Sequence, residues 1–168
     1  MTTRDIPGVI APPPLIYLGF LFLGWGLAQL GAQPGAVEAG FGWLSAGYGL
    51  TVEARRAVAL ILIVGGLLFD GMAAGLFRRR GTAVEPWKPS TALIVEGPYR
   101  FTRNPMYLGM VMLLIGVAVM LGTLTPGLVI PPFAWWISRR FIAQEEVMLE
   151  ERFGEEYLQF MRRVRRWI

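Results

Sequence analysis

Charged side chains along this chain come in clusters separated by long apolar stretches. None falls between Asp5 and Glu38, and none in the 35 residues from Asn104 to Ser138. As one α-helix at ~1.5 Å per residue, the second stretch would be about 50 Å long, against a hydrocarbon thickness of about 30 Å. A single straight crossing is too long. The sequence Gly122-Thr123-Leu124-Thr125-Pro126-Gly127 interrupts it with turn and helix-start residues. The pattern therefore predicts two short antiparallel helices, over 105–121 and 126–141, joined by a tight turn. Upstream, Pro12 to Leu30 reads as a first span, with prolines at its start where they cost least. Ala57 to Phe77 reads as a second, bracketed by Arg55-Arg56 and Arg78-Arg79-Arg80. The glycine-rich, mixed-polarity residues 36–52 suit an interfacial or re-entrant segment. The expected fold is all-α and polytopic, with about four transmembrane helices including a short helical hairpin, followed by cytosolic C-terminal helices. One domain, 1–168, then holds membrane spans over 12–77 and a region rich in polar side chains over 78–168.

Composition sharpens this picture. The chain is 54% hydrophobic and 17% charged, with a mean hydropathy of +0.48, whereas soluble domains carry about a quarter charged residues. Placing the N-terminus in the cytoplasm leaves only Arg55 and Arg56 facing outward and puts the other 14 of the 16 Lys and Arg inside. That asymmetry satisfies the positive-inside rule, so both termini are expected to be cytoplasmic. The first apolar run resembles a signal peptide in length. However, Arg4 stands opposite Asp5 and three prolines precede the run, which predicts a retained span. The net charge of +4, on so apolar a chain, points to an anionic bilayer surface and not to nucleic acid. Cysteine and histidine are absent. This excludes a disulfide framework, a Cys/His zinc site, a cysteine nucleophile and a Ser–His relay, and no metal is expected. Any proton transfer falls to Glu, Asp, Tyr, Lys, Arg or water.

Two polar segments could carry chemistry. The first runs Glu96-Gly97-Pro98-Tyr99-Arg100-Phe101-Thr102-Arg103-Asn104-Pro105-Met106-Tyr107. Gly97-Pro98 makes a turn, Pro105 suits the first position of a helix, and Asn104 suits the N-cap, its side-chain oxygen accepting a backbone N–H. A helix start also offers free N–H groups and a positive dipole end to a carboxylate or phosphate, which Arg100 and Arg103 would reinforce. The second segment runs from Arg139 to Gly154. Helical phasing places Phe141, Glu145, Met148, Leu149 and Arg152 on one stripe, with Glu146, Glu150 and Ile142 on the next. Adjacent glutamates just past a membrane boundary are unexpected where bases are favoured. Gly154 suits a left-handed helix end, and Arg162 to Ile168 suits a basic, aromatic anchor among headgroups. Asp70, about two-thirds along the second span, must avoid lipid. It suits either a contact between helices or a substrate pocket.

Taken in order, these residues resemble the integral-membrane methyltransferases that include isoprenylcysteine carboxyl methyltransferases and phospholipid N-methyltransferases. The matching positions are Gly97-Pro98-Tyr99, Arg103-Asn104-Pro105-Met106-Tyr107-Leu108-Gly109, Glu145-Glu146, Leu149, Phe153-Gly154, Tyr157, Val164 and Arg166-Trp167. The likeness covers about residues 77–168. It departs at Asn104, where the isoprenylcysteine enzymes have histidine; Asn keeps a donor and an acceptor but carries no charge. The resemblance implies S-adenosylmethionine as cofactor and methyl transfer to a lipophilic acceptor at the cytosolic membrane face. It implies a cofactor pocket of Gly97, Tyr99, Arg103, Asn104, Pro105, Tyr107, Glu145 and Glu146, with aromatic faces such as Trp87 near the sulfonium. Glu146 and Arg140 are the candidate catalytic residues, and Arg140 and Asp70 the candidate substrate contacts. Membrane steroid reductases share an Arg-x-Pro-x-Tyr segment and would imply a nicotinamide cofactor. A non-catalytic, anionic-lipid-binding module is the remaining alternative.

Overall fold

A computed structural model describes residues 12–31, 49–82 and 90–168. The extreme N-terminus, most of the glycine-rich segment 36–52, and Trp87 lie outside the described residues. Two helices are long and apolar enough to cross a membrane: α1, Pro13–Gly31, and α2, Val52–Arg79. Helix α2 outruns the apolar stretch that predicts it at both ends. Thr51 caps its start by accepting from the Ala54 N–H, and Glu53 in the first turn and Arg78 and Arg79 in the last suit the helix dipole.

A 3₁₀ turn, Gly97–Arg100, leads into α3, Pro105–Leu121. Helix α3 ends where the pattern predicts, at Gly122 with φ of +88°. The chain turns through a 3₁₀ segment, Thr125–Val129, and re-enters as α4, Ile130–Ile137. The second arm of the hairpin does not stop near 141. A π turn, Ser138–Ile142, carries it without a break into α5, Ala143–Phe153, and after Gly154 the amphipathic α6 spans Glu155–Arg163. The π turn adds a residue to one turn and so rotates everything beyond it relative to a simple α-helical wheel. Within α5, Glu145 and Glu146 in the first turn meet partners, while Glu150 and Arg152 further along face solvent.

Helices α2 and α3 run antiparallel and nearly touch. A Cβ added at Gly66 would lie 2.7 Å from the Gly109 carbonyl, and one at Gly116 would lie 3.0 Å from the Ala59 carbonyl. At the end of this crossing Arg55 donates to the Met120 carbonyl at 3.2 Å, satisfying a C-terminal carbonyl of α3. Helix α1 lies against α4, with Tyr17 and Phe20 packing edge-on to the fully buried Phe133. Two buried clusters result. One, around Tyr107, Phe133, Ile137 and Ile142, joins α1, α3 and α4. The other, around Ala73, Tyr99, Tyr157 and Phe160, joins the end of α2, the Gly97–Arg100 turn and α6.

Candidate functional site

The seam between those two clusters is where the polar side chains meet. Gly97, with φ of +61°, opens the turn in a conformation that favours glycine, and an added Cβ would press on Leu76 at 3.0 Å. The turn delivers Tyr99 into the second cluster, its ring 6.1 Å from that of Phe77. Pro105 then starts α3 as expected, fully buried.

Asn104 occupies the N-cap position but does not cap with its side chain. Its amide instead donates to the Arg166 carbonyl at 2.9 Å. The Thr102 hydroxyl donates to the same carbonyl at 3.0 Å, and the Arg103 N–H donates to the Arg165 carbonyl at 2.9 Å. The segment after α6 is therefore a strap laid across the start of α3. This corrects the expectation of a headgroup anchor for Arg166 and Trp167. The Arg166 guanidinium grips both oxygens of Glu146, and the Trp167 indole N–H donates to the Ser138 hydroxyl at 3.2 Å. Arg162, Arg163 and Arg165 stay exposed.

Glu146 also holds Arg103, with Nη2 to Oε1 at 3.0 Å; the two side chains are only 14% and 12% exposed. The adjacent carboxylate has different company. Glu145 Oε1 accepts from the Tyr107 hydroxyl at 2.7 Å. As a whole residue Glu145 is half-buried, but its carboxylate is enclosed. Burial pushes the Glu145 carboxyl up to about 7, with the Glu146 charge adding and the Tyr107 hydrogen bond opposing. Burial likewise raises Tyr99, with the Glu145 charge reinforcing it. Tyr157 is raised first by burial and then by Glu146, against Arg103. The hydrogen bond to Glu146 raises Arg166 further.

Of the residues picked out in the sequence, Tyr99, Arg103, Asn104, Tyr107, Glu145 and Glu146 gather in one place. Gly97 and Pro105 shape the backbone that brings them there. Arg140 is exposed on the π turn, away from these contacts. Asp70 sits against Gly109, about 6 Å deeper along α3 than its start at Pro105, at ~1.5 Å per residue. Its Oδ1 is buried without a hydrogen-bond partner. Thr102 joins the site without any mark in the sequence, and Tyr157 and Arg166 join it from the positions of the family resemblance to which no role in the pocket is given. A physical signal for Tyr157 lies in α6, whose apolar stripe includes Tyr157 and Phe160 and so must face inward.

The arrangement can receive a small zwitterion. The Arg103 Nε–H is buried and has no hydrogen-bond partner, an orphaned donor that an anionic ligand group could satisfy. Beside it lie an enclosed carboxylate and aromatic rings suited to a cation. The residues present thus fit a ligand carrying both a carboxylate and a cationic centre.

The profile of the phospholipid methyltransferase family matches residues 54–156, from the first turn of α2 into α6. The protein-S-isoprenylcysteine O-methyltransferase of Mus musculus is 38% identical over 72 residues, which are 43% of this chain and 25% of that enzyme. The Homo sapiens enzyme of the same name is 36% identical over 72 residues, with the same coverage. An uncharacterized protein of Haemophilus influenzae is 36% identical over 63 residues, 38% of this chain and the whole of that protein. The match thus spans about a quarter of the length of the mouse and human relatives. No solved structure matches. With its two long apolar helices, a family profile covering more than half its length, and the ordered polar positions gathered at one end, the chain belongs to the phospholipid methyltransferase family of S-adenosylmethionine-dependent membrane methyltransferases.

Proposed function

We propose that this protein transfers a methyl group from S-adenosylmethionine to a lipophilic acceptor at the cytosolic rim of a membrane. In this reading α1, α2, α3 and α4 are four crossings, both termini are cytoplasmic, and the acceptor enters sideways from lipid. The observation that carries it is the meeting of the α3 start with the α5 start, Arg103 on Glu146 and Tyr107 on Glu145, in an enclosed place with an unpartnered Arg103 Nε–H.

S-adenosylmethionine supplies an electrophilic methyl group on a sulfonium. Arg103 and the N–H groups at the start of α3 would hold its carboxylate. Glu146, fixed by Arg166, keeps the Arg103 guanidinium aimed. Tyr99 and Tyr107 offer ring faces to the cationic centre. Gly97, Asn104 and Pro105 set the backbone that forms this wall, and exposed Arg140 meets the acceptor's polar end at the rim. Asp70, deeper between the helices, enters only as a polar group near the acceptor's route. The task of such a site is alignment in the absence of water, which can be worth roughly 7–11 kcal/mol.

Calorimetry on detergent-purified protein tests the reading. S-adenosylmethionine and S-adenosylhomocysteine are expected to bind the wild type, and Arg103→Ala and Glu146→Ala to abolish binding while eluting as folded protein. Unchanged affinity in both variants would remove the pocket. Stabilisation by NADPH, with no response to S-adenosylhomocysteine, would replace this chemistry with reduction.

A further inference from the structure

The strap after α6 has two faces. Val164 leaves the helix in extended backbone, with φ of −124° and ψ of 131°, so neighbouring side chains turn to opposite sides. On the inner side Val164 packs into the second cluster and Arg166 grips Glu146. On the outer side Arg163 and Arg165 are exposed, and among the described residues no carboxylate pairs with either. Arg165 still works inward through its backbone, because its carbonyl accepts from the Arg103 N–H at 2.9 Å. One residue thus offers a cation to the surroundings and a backbone bond to the site.

The strap's attachments fix where its outer side lies. It is bonded to residues 102–104, just before α3, and to Ser138, just after α4. These are the two points at which the apolar hairpin, free of charge from Asn104 to Ser138, leaves hydrocarbon. Beside them stand two more exposed cations, Arg100 and Arg139, and the Phe101 side chain, which is 72% exposed. Unpaired arginines next to a bare aromatic ring suit a bilayer surface, which takes up both. A nucleic acid or a soluble anion would use the arginines and leave Phe101 in water.

We propose that the outer face of the strap docks on anionic phospholipid headgroups of the cytosolic leaflet, and that headgroups bound there hold the strap across the start of α3. The cytosolic orientation, and the use made of Arg103, rest on the methyl-transfer reading above. A lipid can bias the strap only by binding one of its states better. Laid down, the strap brings Arg163 and Arg165 to Arg139 through the Trp167–Ser138 bond, so several phosphates meet one patch at once. Lifted off, it scatters them. The laid-down state is also the one in which Arg103 is fixed twice. The Arg165 carbonyl holds its backbone, and Glu146, itself gripped by Arg166, holds its side chain. Anionic lipid should therefore tighten cofactor binding without touching the cofactor.

The test places the whole chain in nanodiscs of phosphatidylcholine and in discs where a third of that lipid is replaced by phosphatidylglycerol. The first readout needs no cofactor: hydrogen exchange of the Arg103 amide, whose acceptor belongs to the strap. Exchange should slow several-fold in the phosphatidylglycerol discs, and high salt should abolish the difference. The double variant Arg163→Gln, Arg165→Gln keeps every backbone bond of the strap. It should exchange as the wild type does in phosphatidylcholine and lose most of the response to phosphatidylglycerol. Equal exchange of the wild type in both discs overturns the proposal, as does a double variant that responds in full. The second readout is S-adenosylmethionine affinity by calorimetry. It should be several-fold tighter in phosphatidylglycerol discs for the wild type and nearly equal in the two discs for the double variant. Equal wild-type affinities in the two discs, with exchange still responding, overturn the coupling to the site. Failure to bind the cofactor in either disc, with exchange still responding, sinks the methyl-transfer reading and leaves the docking face standing.

Discussion

The α2–α3 crossing and the polar seam at its end hold the two ends of the α3 surface by opposite means. Along the crossing, contact depends on what the side chains lack. Gly66, Gly109 and Gly116 let backbone approach backbone, Gly65 makes room for the Met112 side chain, and little but dispersion joins the surfaces. At the seam, contact is built from charged and polar groups of four segments: the loop before α3, α3 itself, α5 and the strap after α6. In hydrocarbon a hydrophobic driving force between helices is missing, so close packing of small residues must supply the association. Near water, ion pairs can form but are worth holding only where they are enclosed, as Arg103 and Glu146 are. Changes in the crossing should therefore cost the fold, and changes in the seam should cost ligand binding first.

The largest expected effect follows from Gly109→Val. A Cβ there would overlap Asp70 Oδ1 and stand 2.8 Å from the Gly66 carbonyl, and backbone on the opposite helix cannot step aside as a flexible side chain could. Overpacking of this kind costs about 1–3 kcal/mol, and more where backbone must move. Size-exclusion chromatography in mild detergent should show loss of the monodisperse peak. By contrast, Arg103→Ala should keep that peak and lose cofactor binding. If Gly109→Val elutes and melts like the wild type, the helices are not as close as this packing requires.

The next effect belongs to the strap. Arg166→Ala removes both donors to Glu146 but leaves Arg103 in place. Since the Arg166 side chain is 41% exposed, much of its ion-pair energy is screened, and the stability cost should stay within about 1 kcal/mol. Its consequence for Arg103 should be larger. A Glu146 no longer held from both sides lets the guanidinium swing, and S-adenosylmethionine affinity should fall several-fold by calorimetry. Arg166→Lys should not rescue it, because an ammonium cannot reproduce the two-pronged grip. Full affinity in Arg166→Lys would reduce the strap to a point charge.

These two regions also differ in how far the sequence exposes them. The hairpin was readable because its causes are local. A charge-free run, a Gly-Thr-Leu-Thr-Pro-Gly interruption and a proline at the helix start fix Pro105–Leu121 and the positive-φ Gly122 without distant partners. The site was readable in its members and only partly in their roles. Arg166 carries the same charge as its neighbours Arg162, Arg163 and Arg165, and nothing local marks it as the one that turns inward. What selects it is backbone pairing between residues 102–104 and 165–166, a contact across more than sixty positions. The same pairing diverts the Asn104 amide from capping. Phase beyond residue 138 was also hidden, since a simple wheel cannot anticipate a π turn.

A last effect concerns the enclosed glutamate and needs no ligand. In the unfolded chain the Glu145 carboxyl titrates near its ordinary value, and in the folded protein burial lifts it to about 7. Between those values the folded protein binds the extra proton, so its stability declines as pH rises. The contribution is fully present below the unfolded value and is gone once pH has passed the folded one, when the same enclosed carboxyl must carry a charge. Thermal unfolding in detergent should therefore show a Tm that falls from pH 5 to pH 8 in the wild type. The fall should be shallower in Glu145→Gln, which has no proton to lose, and Glu145→Gln should gain on the wild type at pH 8. Glu146→Gln should not flatten the slope, because it leaves the enclosed Glu145 carboxyl in place. Equal slopes in wild type and Glu145→Gln would mean that burial does not lift this carboxyl and that it is already charged at pH 5.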